Sequence, residues 1–305
     1  MAIHLNQRGD IAVAEIILYI PILVTAGFLV AKHGASRKAG WVLLLTLSLT
    51  RIVGGGLQIA SQQNPSDVQL DTIAAALVSA GLSPLLMATL GFLGTVCENT
   101  LGEDPPFAMG LKVLQLLATA ALVLGIIGGV HLGSAKTASD LNNALTLRHI
   151  GGALLAVLFV LIFLVHLFCW SNMRRILRSR RTLLKGISAA LPFLGVRVAY
   201  SVLSAFAPST LSISDAGVVT TVTPNSPLMK FSPSTGSWLV YLLMGVLPEY
   251  CAVLIYVVAG TRTPLKDNET DYARSAAADY EDERYKWSVE QPLPAAQPVG
   301  WPGRR

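Results

Sequence analysis

Four formally charged residues stand inside long apolar stretches of this sequence: Glu15, Arg51, Arg197 and Glu249. An ionised side chain at bilayer depth costs several kcal/mol unless it is paired or wetted, so each marks a functional site by default. Two acids and two bases can cancel one another, which points to one shared polar interior. Tyr19 lies one turn from Glu15, and Tyr200, Ser201 and Ser204 follow Arg197 on one helical face. The candidate ligand-binding or buried-charge cluster is therefore Glu15, Tyr19, Arg51, Arg197, Tyr200 and Glu249. A buried carboxyl that keeps its proton can donate it, so Glu15 and Glu249 are also the candidate catalytic acids. The competing reading of the cluster is interhelical glue, because polar contacts between membrane helices are often purely structural.

Seven apolar stretches must position these residues. They run near 11–30, 41–59, 72–96, 107–130, 149–170, 183–207 and 236–260, each about the length of a bilayer span. The runs are continuous rather than alternating, which predicts helices and not a barrel. The expected fold is all-α: a polytopic bundle of seven transmembrane helices over 1–260, with a disordered, cytoplasmic C-terminal tail over 261–305. The tail turns abruptly charged and Pro-containing, a composition that cannot bury enough apolar area to fold. The first stretch has the length of a full span and contains Glu15, which fits a retained helix better than a cleaved signal peptide.

Composition agrees with the class. The chain of 305 residues is 52% hydrophobic and 13% charged, where soluble domains are about a quarter charged. Its mean hydropathy is +0.56. The net charge of +5 could suggest nucleic acid. Its densest basic run, from Arg174 to Lys185, instead lies between two apolar stretches, where cytoplasmic loops carry their Lys and Arg. Nucleic acid is excluded as a partner on that ground. The first loop is also basic, with Lys32, Arg37 and Lys38, whereas the second has no Lys or Arg. Loops one and five are thus expected in the cytoplasm, the N-terminus outside or in a lumen, and the C-terminus in the cytoplasm. The sixth loop, 208–235, is expected to be mobile and polar, with a lid over an outward mouth as the alternative.

Cys97, Cys169 and Cys251 all fall in or beside apolar stretches, so they read as small apolar fillers, with Cys169 a candidate for palmitoylation. His131, His149 and His166 are too dispersed for a metal site, and no phosphate loop, zinc spacing or nucleophile elbow occurs. No cofactor or metal is expected. Pro21, Pro84, Pro192 and Pro248 each free a backbone carbonyl one turn earlier, and kinks of that kind can line cavities. Gly54-Gly55-Gly56, Gly125 with Gly129, and Gly151-Gly152 are read as points of close helix approach.

Five segments together carry a resemblance: AEIILYIPIL, RIVGGGLQIA, GLSPLLMATLGFL, LPFLGVRVAY and LPEYCAVLIYVVAG. As a set they resemble an uncharacterised family of fungal seven-helix integral membrane proteins, a domain of unknown function, over about Ile11 to Gly260. More distantly, the topology and the Arg, Tyr and Glu of the sixth and seventh helices are similar to the fungal lipid-translocating exporters. That family's repeated-Arg signature is not present. The first family has no established activity to carry over; the kinked helices and cancelling charges, with the exporter likeness, point to a membrane lipid or hydrophobic small molecule as the partner, bound or translocated through a polar intramembrane cavity. The alternative is a membrane-embedded acid/base enzyme, a cyclase or isomerase of fungal secondary metabolism, by analogy of fold alone. A seven-helix receptor is disfavoured. The third stretch ends in Cys97-Glu98-Asn99 rather than an acid-Arg-Tyr triplet, and the seventh lacks an Asn-Pro-x-x-Tyr run.

Overall fold

In hydrocarbon every backbone N–H and C=O must be bonded within its own segment, and the long apolar runs answer that demand as helices. The computed structural model describes residues 6–33, 39–64, 81–97, 105–173, 178–208, 226–232 and 235–262, with short pieces at 211–213 and 219–221 and isolated positions elsewhere. Seven helices follow in order among these residues: α1 (Gln7–His33), α2 (Ala39–Gln63), α3 (Leu82–Cys97), α4 (Pro105–Ser134), α5 (Ala138–Ser171), α6 (Arg178–Ala205) and α7 (Trp238–Arg262). Six of them are long and apolar enough to cross a membrane, and α3 is a shorter apolar helix. The third expected span, 72–96, is thus continuous only from Leu82, with isolated helical positions at 73, 74 and 77. A full seventh crossing is not established.

The exterior is apolar. Ile17, Ile20, Val24 and Phe28 face outward along α1, and Val157, Val160 and Leu164 along α5. Their i, i+3 and i+4 spacing draws a continuous stripe with no polar covering. With charge inside and aliphatic side chains outside, the solvent for this surface is lipid. The protein is built as a multi-pass membrane bundle.

At the centre is α3, buried at every residue except Met87 and Gly94. A helix enclosed all round should be apolar on every face, and this one departs from that at Ser83, Thr89 and Thr95, of which Thr89 and Thr95 bond carbonyls of their own helix. It packs against α2, α4, α5 and α6, while α1 pairs with α2, α4 with α5, and α6 with α7. At one end Trp41, Phe92 and Tyr256 interlock, with ring centroids 4.5 and 5.0 Å apart, joining α2, α3 and α7. Gly260 permits this: a Cβ there would stand 1.8 Å from Trp41 Cη2. Gly55 similarly lets α2 lie on α1, where its Cβ would meet Ile16 at 3.0 Å.

Two expectations change. α5 begins eleven residues before His149, because Thr137 and Asp140 form a capping box with both reciprocal bonds at 3.1 Å. Its 34 residues span about 51 Å, longer than the hydrocarbon core, so the first turns stand clear of it. The sixth loop is also not plain coil where it is described. It contains an antiparallel pair, Leu211–Ile213 with Val219–Thr221, and a 3-10 turn at Pro227–Phe231. The Arg8 guanidinium ties this loop to α1, donating to the carbonyls of Gly236 at 2.6 Å and Ser232 at 3.3 Å. The tail expected to be disordered lies, from residue 263, outside the described residues apart from isolated helical positions.

Candidate functional site

Glu249 sits one residue after Pro248, which has no N–H to offer the Met244 carbonyl. Just before it, Tyr241–Val246 widens to π spacing, and the Leu247 amide bonds the Leu242 carbonyl five residues back. Single π turns of this kind gather at functional sites. Here the turn sets the aim of two side chains, Tyr241 and Glu249, toward the interior.

Around Glu249 the structure gathers both arginines. Arg51 presents the Nε–Nη2 side of its guanidinium fork, Nε donating to Oε1 at 2.5 Å and Nη2 donating to Oε2. Arg197 Nε donates to the same Oε2 at 2.9 Å, and the Tyr19 hydroxyl donates to Oε1 at 3.1 Å. Planar, bidentate pairing is the strongest geometry available to an arginine and a carboxylate. Arg197 is held from behind by its own helix: Nη1 donates to Ser201 Oγ at 2.6 Å, and the guanidinium lies 5.7 Å from the Tyr200 ring centroid. All four charges are nearly sealed, with exposures of 1–3%.

Glu15 joins on the far side of Arg51. Its Oε2 lies 3.9 Å from Arg51 Nη1, and its Oε1 accepts a hydrogen bond from the Tyr241 hydroxyl at 3.1 Å. Glu15 Oε2 and Arg51 Nη1 are both buried, and neither has a hydrogen-bond partner. The cluster sums to zero charge, but its hydrogen bonding is lopsided: Glu249 is saturated and Glu15 is half satisfied. Gly81, just before α3, leaves the room Arg51 needs, since a Cβ there would stand 2.8 Å from Nη2.

The six sequence candidates therefore occupy one neighbourhood, in which adjacent helices pair Arg197 with Glu249 at 2.9 Å and Arg51 with Glu15 at 3.9 Å, while Glu249 also takes the fork of Arg51. Arg51 spends its fork on Glu249, and Tyr19 bonds Glu249 rather than its helical neighbour Glu15. Tyr241 was missed. It lies eight residues from Glu249, about 80° around an ideal helix, and only the π turn brings it onto Glu15. An aromatic hydroxyl on the same span as a buried acid was the available signal.

A cleft of about 440 Å³ opens beside Glu15 between α1 and α7. Ile11, Ala14, Leu18, Leu242 and Val246 line it, with Asp10 and Trp238 toward one end. Among the described residues no group of three or more His, Cys, Asp or Glu is placed to hold a metal. Cys169 is fully buried with its Sγ 3.2 Å from that of Cys97, so its thiol does not face the interface as an acylation site must. Arg180, expected in the basic loop, is buried too and donates to the Thr95 carbonyl at 2.7 Å, satisfying the C-terminal end of α3.

Residues 5–229 match a family described as a domain of unknown function, DUF7702. The chain belongs to that family. The matched region contains Glu15, Arg51 and Arg197 but ends before α7, so it is shorter than the resemblance read as far as Gly260. No curated protein and no solved structure matches the chain. Family membership carries no activity with it, and neither fungal origin nor kinship to lipid exporters follows from the match.

Proposed function

We propose that this membrane protein binds or translocates a lipid or hydrophobic metabolite in the cleft between α1 and α7, with Glu15 as the polar anchor. One observation carries the reading: Glu15, whose buried Oε2 has no hydrogen-bond partner, is among the residues lining an apolar cleft of ligand size. Leaving such an acceptor unsatisfied costs about 1–3 kcal/mol, and a ligand hydroxyl or amine would recover it. The fitting ligand has an apolar body along Leu18, Leu242 and Val246 and one donor group at Glu15. Glu249, with both oxygens engaged, organises the arginines rather than meeting ligand. The orientation that goes with this reading puts the N-terminus outside and the basic loops in the cytoplasm.

Mass spectrometry of lipids and metabolites retained by the purified protein tests it. A species held by the wild type should be lost both from Leu18→Trp, which fills the cleft, and from Glu15→Gln. Identical retained species in all three proteins would sink the proposal.

A second reading, an acid/base cyclase or isomerase, is favoured by the same half-satisfied carboxyl, which is free to carry a proton to a substrate. Deleting the gene separates the two. Accumulated precursor points to catalysis, and product retained in the cell points to export.

A further inference from the structure

We propose that a second cleft, between α5 and α6, is a binding site for a membrane alcohol of the sterol type, with its hydroxyl on His166. The cavity measures about 670 Å³, larger than the one beside Glu15. Its walls are Phe159, Phe163 and Leu167 on α5 and Leu191, Pro192 and Gly195 on α6, and its polar end is formed by His166, Trp170 and Ser188.

Proton bookkeeping at that end selects the ligand's functional group. Ser188 Oγ has one hydrogen, and it lies 3.0 Å from the Leu184 carbonyl, which can only accept. Trp170 Nε1, which can only donate, reaches the same oxygen at 2.9 Å. With that hydrogen given to Leu184, His166 Nε2, 3.0 Å away on the remaining lone pair, donates. The neutral imidazole then carries its proton on Nε2, and Nδ1 is a bare acceptor. That Nδ1 is buried with no partner, on a side chain only 4% exposed. One buried acceptor wanting one proton calls for a hydroxyl. A ketone, ester or ether has no hydrogen to give and would leave it unsatisfied.

Depth and shape specify the rest. Trp170 is the penultimate residue of α5, at the level where indoles sit in the interface. His166 is five residues from that helix end, about 8 Å deep, and Phe159 about 10 Å deeper. The cleft thus descends from headgroup level toward the bilayer middle, polar end first, as an alcohol lies within one leaflet. Phe163 and Pro192 wall it, and the Phe159 ring closes its deep end against Gly195, where a Cβ would meet Phe159 Cζ at 3.3 Å. An aromatic ring and a proline at the sides, with a ring-closed floor, make rigid walls, which a fused-ring alcohol fills without losing chain entropy.

The experiment uses the full chain in phosphatidylcholine vesicles with a photoactivatable sterol bearing a free hydroxyl. Labelled peptides are mapped by mass spectrometry. Label is expected within 159–170 and 188–195, displaced by cholesterol about tenfold better than by cholesterol methyl ether, the factor for one hydrogen bond. His166→Phe should cut this labelling about tenfold. His166→Asn, whose amide oxygen can stand near the Nδ1 position, should keep most of it and guards against a mere folding defect. Glu15→Gln should leave it unchanged, which keeps this site independent of the α1–α7 cleft. Label elsewhere, equal competition by the ether, or hexadecanol competing as well as cholesterol would each overturn the assignment.

Discussion

Replacing Glu249 by Gln removes the one group that both buried arginines share. The amide keeps the size of the carboxylate, so packing is conserved and the perturbation is electrostatic. Arg51 and Arg197 then face each other at a site less than 4% exposed, and among the described residues Glu15, 3.9 Å from Arg51, is the counter-charge that remains. The Gln amide can accept at one atom where the carboxylate accepted four bonds at two. Breaking a buried pair in this way costs about 3–5 kcal/mol. At about 2–4 °C per kcal/mol for a domain of this size, that is a fall in Tm of order 10 °C. Adding Arg197→Met restores neutrality, because Arg51 and Glu15 remain as one acid and one base. The double variant should recover at least half of the loss, a coupling that additive sites would not show. Thermal unfolding of detergent-solubilised protein, followed by tryptophan fluorescence and size exclusion, measures all three variants. A single variant within about 1 kcal/mol of wild type, or a double no more stable than Glu249→Gln, would refute the claim that the cluster holds the fold through charge balance.

Gly260→Leu should displace Trp41 and destabilise the bundle by roughly 1–3 kcal/mol or more, with Trp41→Leu in the same chain restoring part of the loss; unfolding curves unmoved by Gly260→Leu would contradict the α2–α7 contact. Cys97 and Cys169, with sulfurs 3.2 Å apart, should be joined by a membrane-permeant oxidant such as iodine, read as loss of two free thiols by mass spectrometry; persistent reactivity of both thiols would place α3 and α5 differently. Asn268-Glu269-Thr270 is an acceptor for N-linked glycan, and it should carry none if the tail is cytoplasmic; glycan at Asn268 would reverse the orientation.

The sequence alone determined that this chain is a membrane helical bundle with a polar interior, because lipid leaves few alternatives. Apolar runs of bilayer length must be helical, and Glu15, Arg51, Arg197 and Glu249 cannot face hydrocarbon unpaired. It also located the backbone weak point at Pro248. That both arginines meet on Glu249 was beyond it, because a partner is chosen by helix rotation and packing, which depend on residues far apart in the chain. Arg51 bonds Glu249 across 198 residues and Arg197 bonds it across 52. Tyr241 reaches Glu15 only because one π turn changes the rotation of α7. The same limit hid the burial of Arg180, which reads as a loop charge until α3 ends beside it. It also hid the unpartnered Nδ1 of His166, where an ordinary buried histidine becomes an acceptor only once Ser188 and Trp170 have used the other bonds. Periodicity reports which face of a helix is polar. The tertiary structure decides what that face meets, because hydrogen bonds are satisfied atom by atom.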